Sequence, residues 1–214
     1  MTTTITPDQD ASPEAVQATT GHAVEVDLGR YDQGWFDRGR GPIACMLWDM
    51  VQTLLIAPSP HCFYSWRRFW YRLFGATIGK DVLIRKSVKC NYPWKLTIGD
   101  RCWIGDGATL YTLDHITLDS DVVVSQQAYL CTGSHDPSDP AFGLRTAPIT
   151  VRRGAWIALG AVVMPGATIG NGALIGARAV LTHDAAARTI YTGSPARERG
   201  RREIVEREVD DEPV

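Results

Sequence analysis

Several broad protein classes are excluded by what this 214-residue sequence lacks. It has no apolar run approaching the roughly 20 residues that a bilayer-spanning helix needs. Its opening, "MTTTITPDQDASPEAVQATT", has neither the basic start nor the apolar stretch of a secretory signal. Charge is short as well: a formal net charge of -2 gives no electrostatic basis for binding nucleic acid, which is not expected as a partner. The five cysteines (Cys45, Cys62, Cys90, Cys102, Cys131) are odd in number and form no C-x-x-C pair. Neither a disulfide framework nor a zinc knuckle is indicated. The five histidines (His22, His61, His115, His135, His183) contain no close pair at ligand spacing, and no metal is expected. These absences point to a cytoplasmic, soluble or peripheral protein.

What is present divides into four stretches. Residues 1–30 are rich in Thr, Asp, Pro and Ala without apolar periodicity, as in a loosely packed arm. Residues 31–74 form an N-terminal helical segment, in which "CMLWDMVQTLLIAPSP" and "FYSWRRFWYRLFG" carry large apolar residues at helical spacing, divided by Pro58 and Pro60. In the second run Trp66, Phe69, Trp70, Leu73 and Phe74 make a stripe, with Arg67, Arg68 and Arg72 largely off it. A basic amphipathic helix of this kind suits either packing on the rest of the chain or a partner subunit, or a peripheral membrane contact. Residues 196–214, arginine-rich and then acidic, read as a short exposed helix and a tail.

Residues 75–195 have a period of six. Its beats are Ile78, Ile84, Ile98, Ile104, Leu110, Ile116, Val122 and Ala128, then Val151, Ile157, Val163, Ile169, Ile175 and Leu181. Small residues such as Cys102, Ala108, Ala155, Ala161 and Ala167 fall four places after most beats. A beat of six fits neither the helical nor the plain strand period, but it does fit short strands joined by identical corners. Three such sides per coil make a triangular prism of about five to six stacked coils, spaced at the strand separation of about 4.8 Å. The predicted fold is therefore mainly β. The period does not set the hand of the coil.

One excursion, "TGSHDPSDPAFGLRTAPIT", breaks the repeat and predicts an extended loop over 134–148. Its prolines and aspartates are turn formers, and Asp136 and Asp139 suit either turn capping or work on substrate or imidazole. His135 opens the loop and is a general-base candidate by residue type. Asp114, with His115 beside it, occupies a fourth place that otherwise takes a small residue, a departure that marks a candidate substrate contact. Gln126 makes the same departure. Cys131 sits within a repeat unit and reads as a structural thiol.

The units "IGDRCW", "IGDGAT", "IGNGAL" and "IGARAV" resemble the hexapeptide-repeat acyltransferases, which fold as left-handed parallel β-helices. "LFGATIG", "YLCTGSHD", "APITVRRGAWIALGAVVMPGATIG" and "YTGSPARE" are similar to the branch of sugar O-acetyltransferases that serves extracellular polysaccharide synthesis. That resemblance implies acetyl-CoA as acyl donor, with His135 catalytic. It places Trp156, Leu159, Ala177, Thr182, His183 and Arg197 on the donor, although lysine is common in the family where His183 stands. It further implies a homotrimer with active sites between subunits. The acceptor would be a sugar, a nucleotide sugar or a lipid-linked oligosaccharide, met at the inner face of the membrane. Two other readings use the same prism: a non-catalytic scaffold, which has no use for the His135 loop or Trp156, and a zinc carbonic anhydrase, which needs three convergent histidines.

Overall fold

A computed structural model describes residues 24–32 and 34–205. Most of the 1–30 arm and the end of the 196–214 tail lie outside the described residues.

The repeat folds as a parallel solenoid with three walls. The first wall stacks Thr77–Ile78, Leu96–Ile98, Ile116–Leu118, Ile149–Val151 and Thr168–Ile169. The second stacks Leu83–Ile84, Trp103–Ile104, Val123–Val124, Trp156–Ile157, Leu174–Ile175 and Thr189–Thr192. The third stacks Lys89–Cys90, Thr109–Tyr111, Tyr129–Cys131, Val162–Val163 and Val180–Leu181. All the beat residues are buried, as are the small residues at the converging corners.

Register corrects the beat in the middle of the chain. Ile98 pairs with Leu118, Ile104 with Val124, and Leu110 with Leu130. The true beats there are Leu118, Val124 and Leu130, two residues beyond Ile116, Val122 and Ala128. The ambiguity arises because both positions of each pair are apolar and buried. The step from the third wall to the first is thus eight residues rather than six in two coils, from Cys90 to Ile98 and from Leu110 to Leu118. In the third coil it widens to hold the loop. Asp114 therefore lies in an enlarged corner and Gln126 at an ordinary corner; neither replaces an inward small residue.

Helices α1 (Pro42–Val51), continued by a π turn at Gln52–Ile56, and α2 (Tyr64–Leu73) lie across the open end of the prism. N–H groups of the first coil donate to the second, as in Gly79 to Ile98 O and Arg85 to Ile104 O. The outward carbonyls of the first coil consequently need donors from elsewhere. Arg72 donates to Ile78 O and Gly79 O, Arg68 to Val82 O, Arg67 to Ile84 O, and Trp48 Nε1 to Cys90 O. Arg67 is fully buried and also donates to Ser59 Oγ, Pro60 O and His61 O.

The aromatic stripe of α2 is split, with Trp70 and Phe74 packed against the core. Arg67 and Tyr71 are the buried side chains, while Trp66, Phe69 and Leu73 face solvent. The described residues of 31–41 contain no helix and run as a strap. At the far end the expected C-terminal helix is absent among the described residues. Arg197–Arg201 instead forms a strand antiparallel to Thr189–Thr192, because that last strand offers an unpaired edge.

Candidate active site

The enlarged corners of three successive coils stack along one edge, where the third wall turns into the first. The first coil contributes Tyr92, Trp94 and Lys95; the second contributes Asp114 and His115. The third contributes the loop, a hairpin in which Gly133–His135 pairs with Leu144–Thr146. Gly133 starts the hairpin against Leu113, whose Cδ1 would stand 2.6 Å from any added Cβ.

The hairpin is braced from within. Asp139 accepts the N–H groups of Ala141 and Gly143, both at 2.9 Å. Asp136 accepts Ser138 N and Oγ and pairs with Arg145. The Ser138 hydrogen bonds, with Arg145 behind them, hold the Asp136 carboxyl below the usual range. Neither aspartate orients the imidazole. His135 Nδ1 lies 2.9 Å from the Phe142 carbonyl. The Phe142 ring, on a residue with φ of 52°, stacks on the imidazole at 4.2 Å and 11°. A carbonyl only accepts, so Nδ1 carries the proton and Nε2 keeps its lone pair. The half-buried His135 is thus fixed in one orientation with a basic nitrogen to offer. Cys131 donates to Gly133 O at 3.0 Å and serves the hairpin's entry.

A strap, the described residues of 24–41, crosses this edge. Asp27 N donates to Pro140 O in the loop, and Tyr31 stands 5.9 Å from His135, ring to ring. Further on, Trp94 Nε1 donates to Arg38 O, and Lys95 Nζ donates to Asp37 O and Leu113 O. Between strap and prism lies a cleft of about 540 Å³ lined by Trp35, Phe36, Trp94, Lys95, Asp114 and His115, among others. Asp114 caps its neighbour, accepting His115 N at 2.7 Å. The strap aromatics, Trp94 and Lys95 were not singled out by sequence reasoning. For Trp94 and Lys95 the signal was the eight-residue step from Cys90 to Ile98; for Trp35 and Phe36, outside the repeat, there was none.

The expected donor residues run elsewhere. Trp156 faces outward from the second wall, 39% exposed, with Nε1 on Ser125 Oγ at 2.8 Å. It borders a groove of about 460 Å³ with Trp103, Val123 and Gln126. Leu159 and Ala177 are exposed at one corner on successive coils, where Arg178 N donates to Leu159 O. Thr182 and His183 follow the last strand of the third wall, with His183 edge-on to Tyr191 at 5.8 Å. Arg197 is exposed in the terminal hairpin, paired in register with Thr192. The second wall lies across the prism from the edge that carries His135. Trp156 and His135 of one chain therefore point in different directions. No group of His, Cys, Asp and Glu among the described residues is placed to hold a metal ion.

A three-walled parallel solenoid with a histidine-bearing hairpin on one edge defines the class by architecture: a β-helix of the hexapeptide-repeat type. Sequence comparison gives the family. The chain is 47% identical over 159 residues to "Putative colanic acid biosynthesis acetyltransferase WcaF" of Escherichia coli (strain K12), covering 74% of this chain and 87% of that one. It belongs to this family of acetyltransferases and is an acyltransferase. No family model matches it. Among solved structures, a hexapeptide-repeat acetyltransferase of Vibrio cholerae complexed with acetyl coenzyme A matches with a TM-score of 0.69 and 22% identity, over 75% of this chain and 88% of that one. A galactoside acetyltransferase in complex with coenzyme A also gives 0.69 and 22%, over 75% and 81%. At that identity the likeness concerns the fold.

Proposed function

We propose that the protein transfers an acetyl group from acetyl-CoA to a hydroxyl of a sugar or oligosaccharide in polysaccharide biosynthesis, with His135 as general base. The observation that carries this reading is the imidazole held by the Phe142 carbonyl with Nε2 free. Nε2 takes the proton of the acceptor hydroxyl as its oxygen attacks the thioester carbonyl. The tetrahedral intermediate, its oxyanion met by a backbone amide, collapses with cleavage of the C–S bond. The imidazolium returns its proton to the departing thiolate, and no acyl-enzyme forms.

Trp156 would flank the pantetheine arm, with the backbones of Leu159 and Ala177 on its amides. Thr182, His183 and Arg197 would meet the nucleotide end, Arg197 through its permanent charge and planar fork. Since His135 and Trp156 point apart in one chain, one complete site takes the base from one subunit and the donor groove from another. A homotrimer meets this requirement with three equivalent sites. Asp114 and His115 would contact the acceptor, whereas Asp136 and Asp139 act through the shape of the loop.

The axial end of the molecule suits a peripheral membrane contact. Ile43, Met46, Leu47 and Met50 on α1, Leu54 on the π turn that continues it, and Trp66, Phe69 and Leu73 on α2 are exposed and face away from the prism. Residues 42–90 hold seven Lys and Arg against two Asp in a chain whose net charge is -2. That combination favours an anionic bilayer surface. No helix among the described residues is long and apolar enough to cross a membrane.

The decisive experiment is an acceptor screen with acetyl-CoA, reading released thiol over sugars, nucleotide sugars and lipid-linked oligosaccharides. In it, His135→Ala is expected to lower turnover by about 10²–10⁴-fold with acetyl-CoA binding retained. Near-normal turnover in that variant would remove His135 from the mechanism.

A further inference from the structure

The cleft beneath the strap has a composition that the transfer chemistry does not require. It is lined on the strap side by Trp35 and Phe36 and on the prism side by Trp94 and Lys95. Its framework is fixed. Trp94 stacks on Tyr92 at 5.4 Å and carries the Arg40 guanidinium at 5.2 Å. Phe36 stands 6.4 Å from Tyr92 and 5.0 Å from the Lys95 ammonium. Gly39 takes φ of 79° where an added Cβ would stand 2.9 Å from Trp94 Nε1, so the strap can lie this close only with glycine there. With Trp94 stacked and Phe36 half-buried, the open aromatic surface is Trp35, 58% exposed beside Phe36 in an edge-on contact at 6.1 Å.

The charges of the cleft select among ligands. Lys95 is held by two carbonyls and Arg40 lies on Trp94, while Asp37 and Asp114 add two carboxylates. A phosphate or diphosphate entering here would meet two carboxylates and cations that are already engaged. A neutral polyol ring fits better: its C–H face lies on indole, and carboxylate, imidazole and Thr146 hydroxyl meet its hydroxyls. The volume of about 540 Å³ falls in the range of small-ligand sites.

Position links the cleft to the base. Tyr31 is beside His135 and Trp35 is four residues along the same strap, at most about 14 Å away by chain length. Trp94 and Lys95 stand on the first coil and the His135 hairpin on the third, two rungs of about 4.8 Å apart along the prism, so linked sugar rings can reach from the base into the cleft. We propose that Trp35, Phe36, Trp94 and Lys95 form a neutral-saccharide subsite, with Asp114 and His115 on its rim, that holds a sugar residue of the acceptor beyond the one acetylated. The acceptor is then an oligosaccharide, and the strap reads its length. This inference rests on acetyl transfer to sugars as proposed above.

The test compares acetyl-transfer kinetics on mono-, di- and trisaccharide forms of an acceptor from the screen, together with nucleotide sugars. The wild-type enzyme is expected to favour the longer neutral acceptors through a lower KM. Trp35→Ala should shrink that preference by roughly tenfold, in KM rather than kcat, about the effect of one aromatic contact. Trp35→Phe should restore most of it; Trp35 is exposed, so neither variant threatens the core. A flat length series, a Trp35→Ala variant with unchanged preference, or a nucleotide sugar outperforming every neutral oligosaccharide would overturn the subsite alone. Absence of transfer to any acceptor would overturn the parent reading and this inference with it.

Discussion

Arg67 illustrates how little a residue's type says about its place. Burial of the cation lowers its pKa, yet four oxygen acceptors surround it and replace the lost water. Replacing it with methionine would leave those acceptors without a donor in a dry site. Arg67→Met is expected to cost about 3–5 kcal/mol, read from the urea midpoint. Arg67→Lys should recover only part of this, since a compact ammonium cannot reach acceptors arrayed around a planar fork. A midpoint unchanged by Arg67→Met would show that the carbonyls find water instead. His135 was legible in the sequence because it stood in a break of the repeat. Its orienting group was not, because a backbone carbonyl leaves no mark on the sequence. Asp136 and Asp139 had two readings open, and their hydrogen bonds favour the turn.

Among the elements, the strands were the most legible and the ends the least. A period of six specifies prism walls with almost no competing solution. The two-residue slip went unseen because apolar side chains occupy both candidate positions. Helix α2 was correctly placed, but its aromatic stripe left the packing side open: Trp70 and Phe74 pack on the core while Trp66, Phe69 and Leu73 stay exposed, because bare carbonyls of the first coil draw the arginines inward. The Arg-rich terminal run showed no strand signal, and the edge of the last strand decided its form. The outer faces of α1 and α2 carry a prediction at this scale. The protein should co-sediment with anionic vesicles and release at high salt, while Met50→Asp combined with Phe69→Asp should abolish binding and leave transfer to a soluble acceptor intact. Equal sedimentation of the double variant, or oligomerisation lost in its place, would assign that face to another partner.

For the whole molecule, the roles proposed for His135 and Trp156, on opposite parts of one prism, would make assembly a condition of activity. His135→Ala and Trp156→Ala should each be nearly inactive alone. Mixed by co-expression, they should recover about a quarter of wild-type activity, the fraction of inter-subunit sites that draw both intact halves. No recovery would place both residues of each site in one chain.

The helical cover on the first coil has a consequence for how chains can associate. A stacked solenoid with a bare terminal rung is a template on which another copy could continue the ladder indefinitely. Here the arginine donors occupy the carbonyls at one end. At the other, an antiparallel strand closes the second wall. Growth along the axis is stopped at these points, leaving sideways contacts as the favoured route to association. Such a molecule is steered toward closed rings and away from fibres.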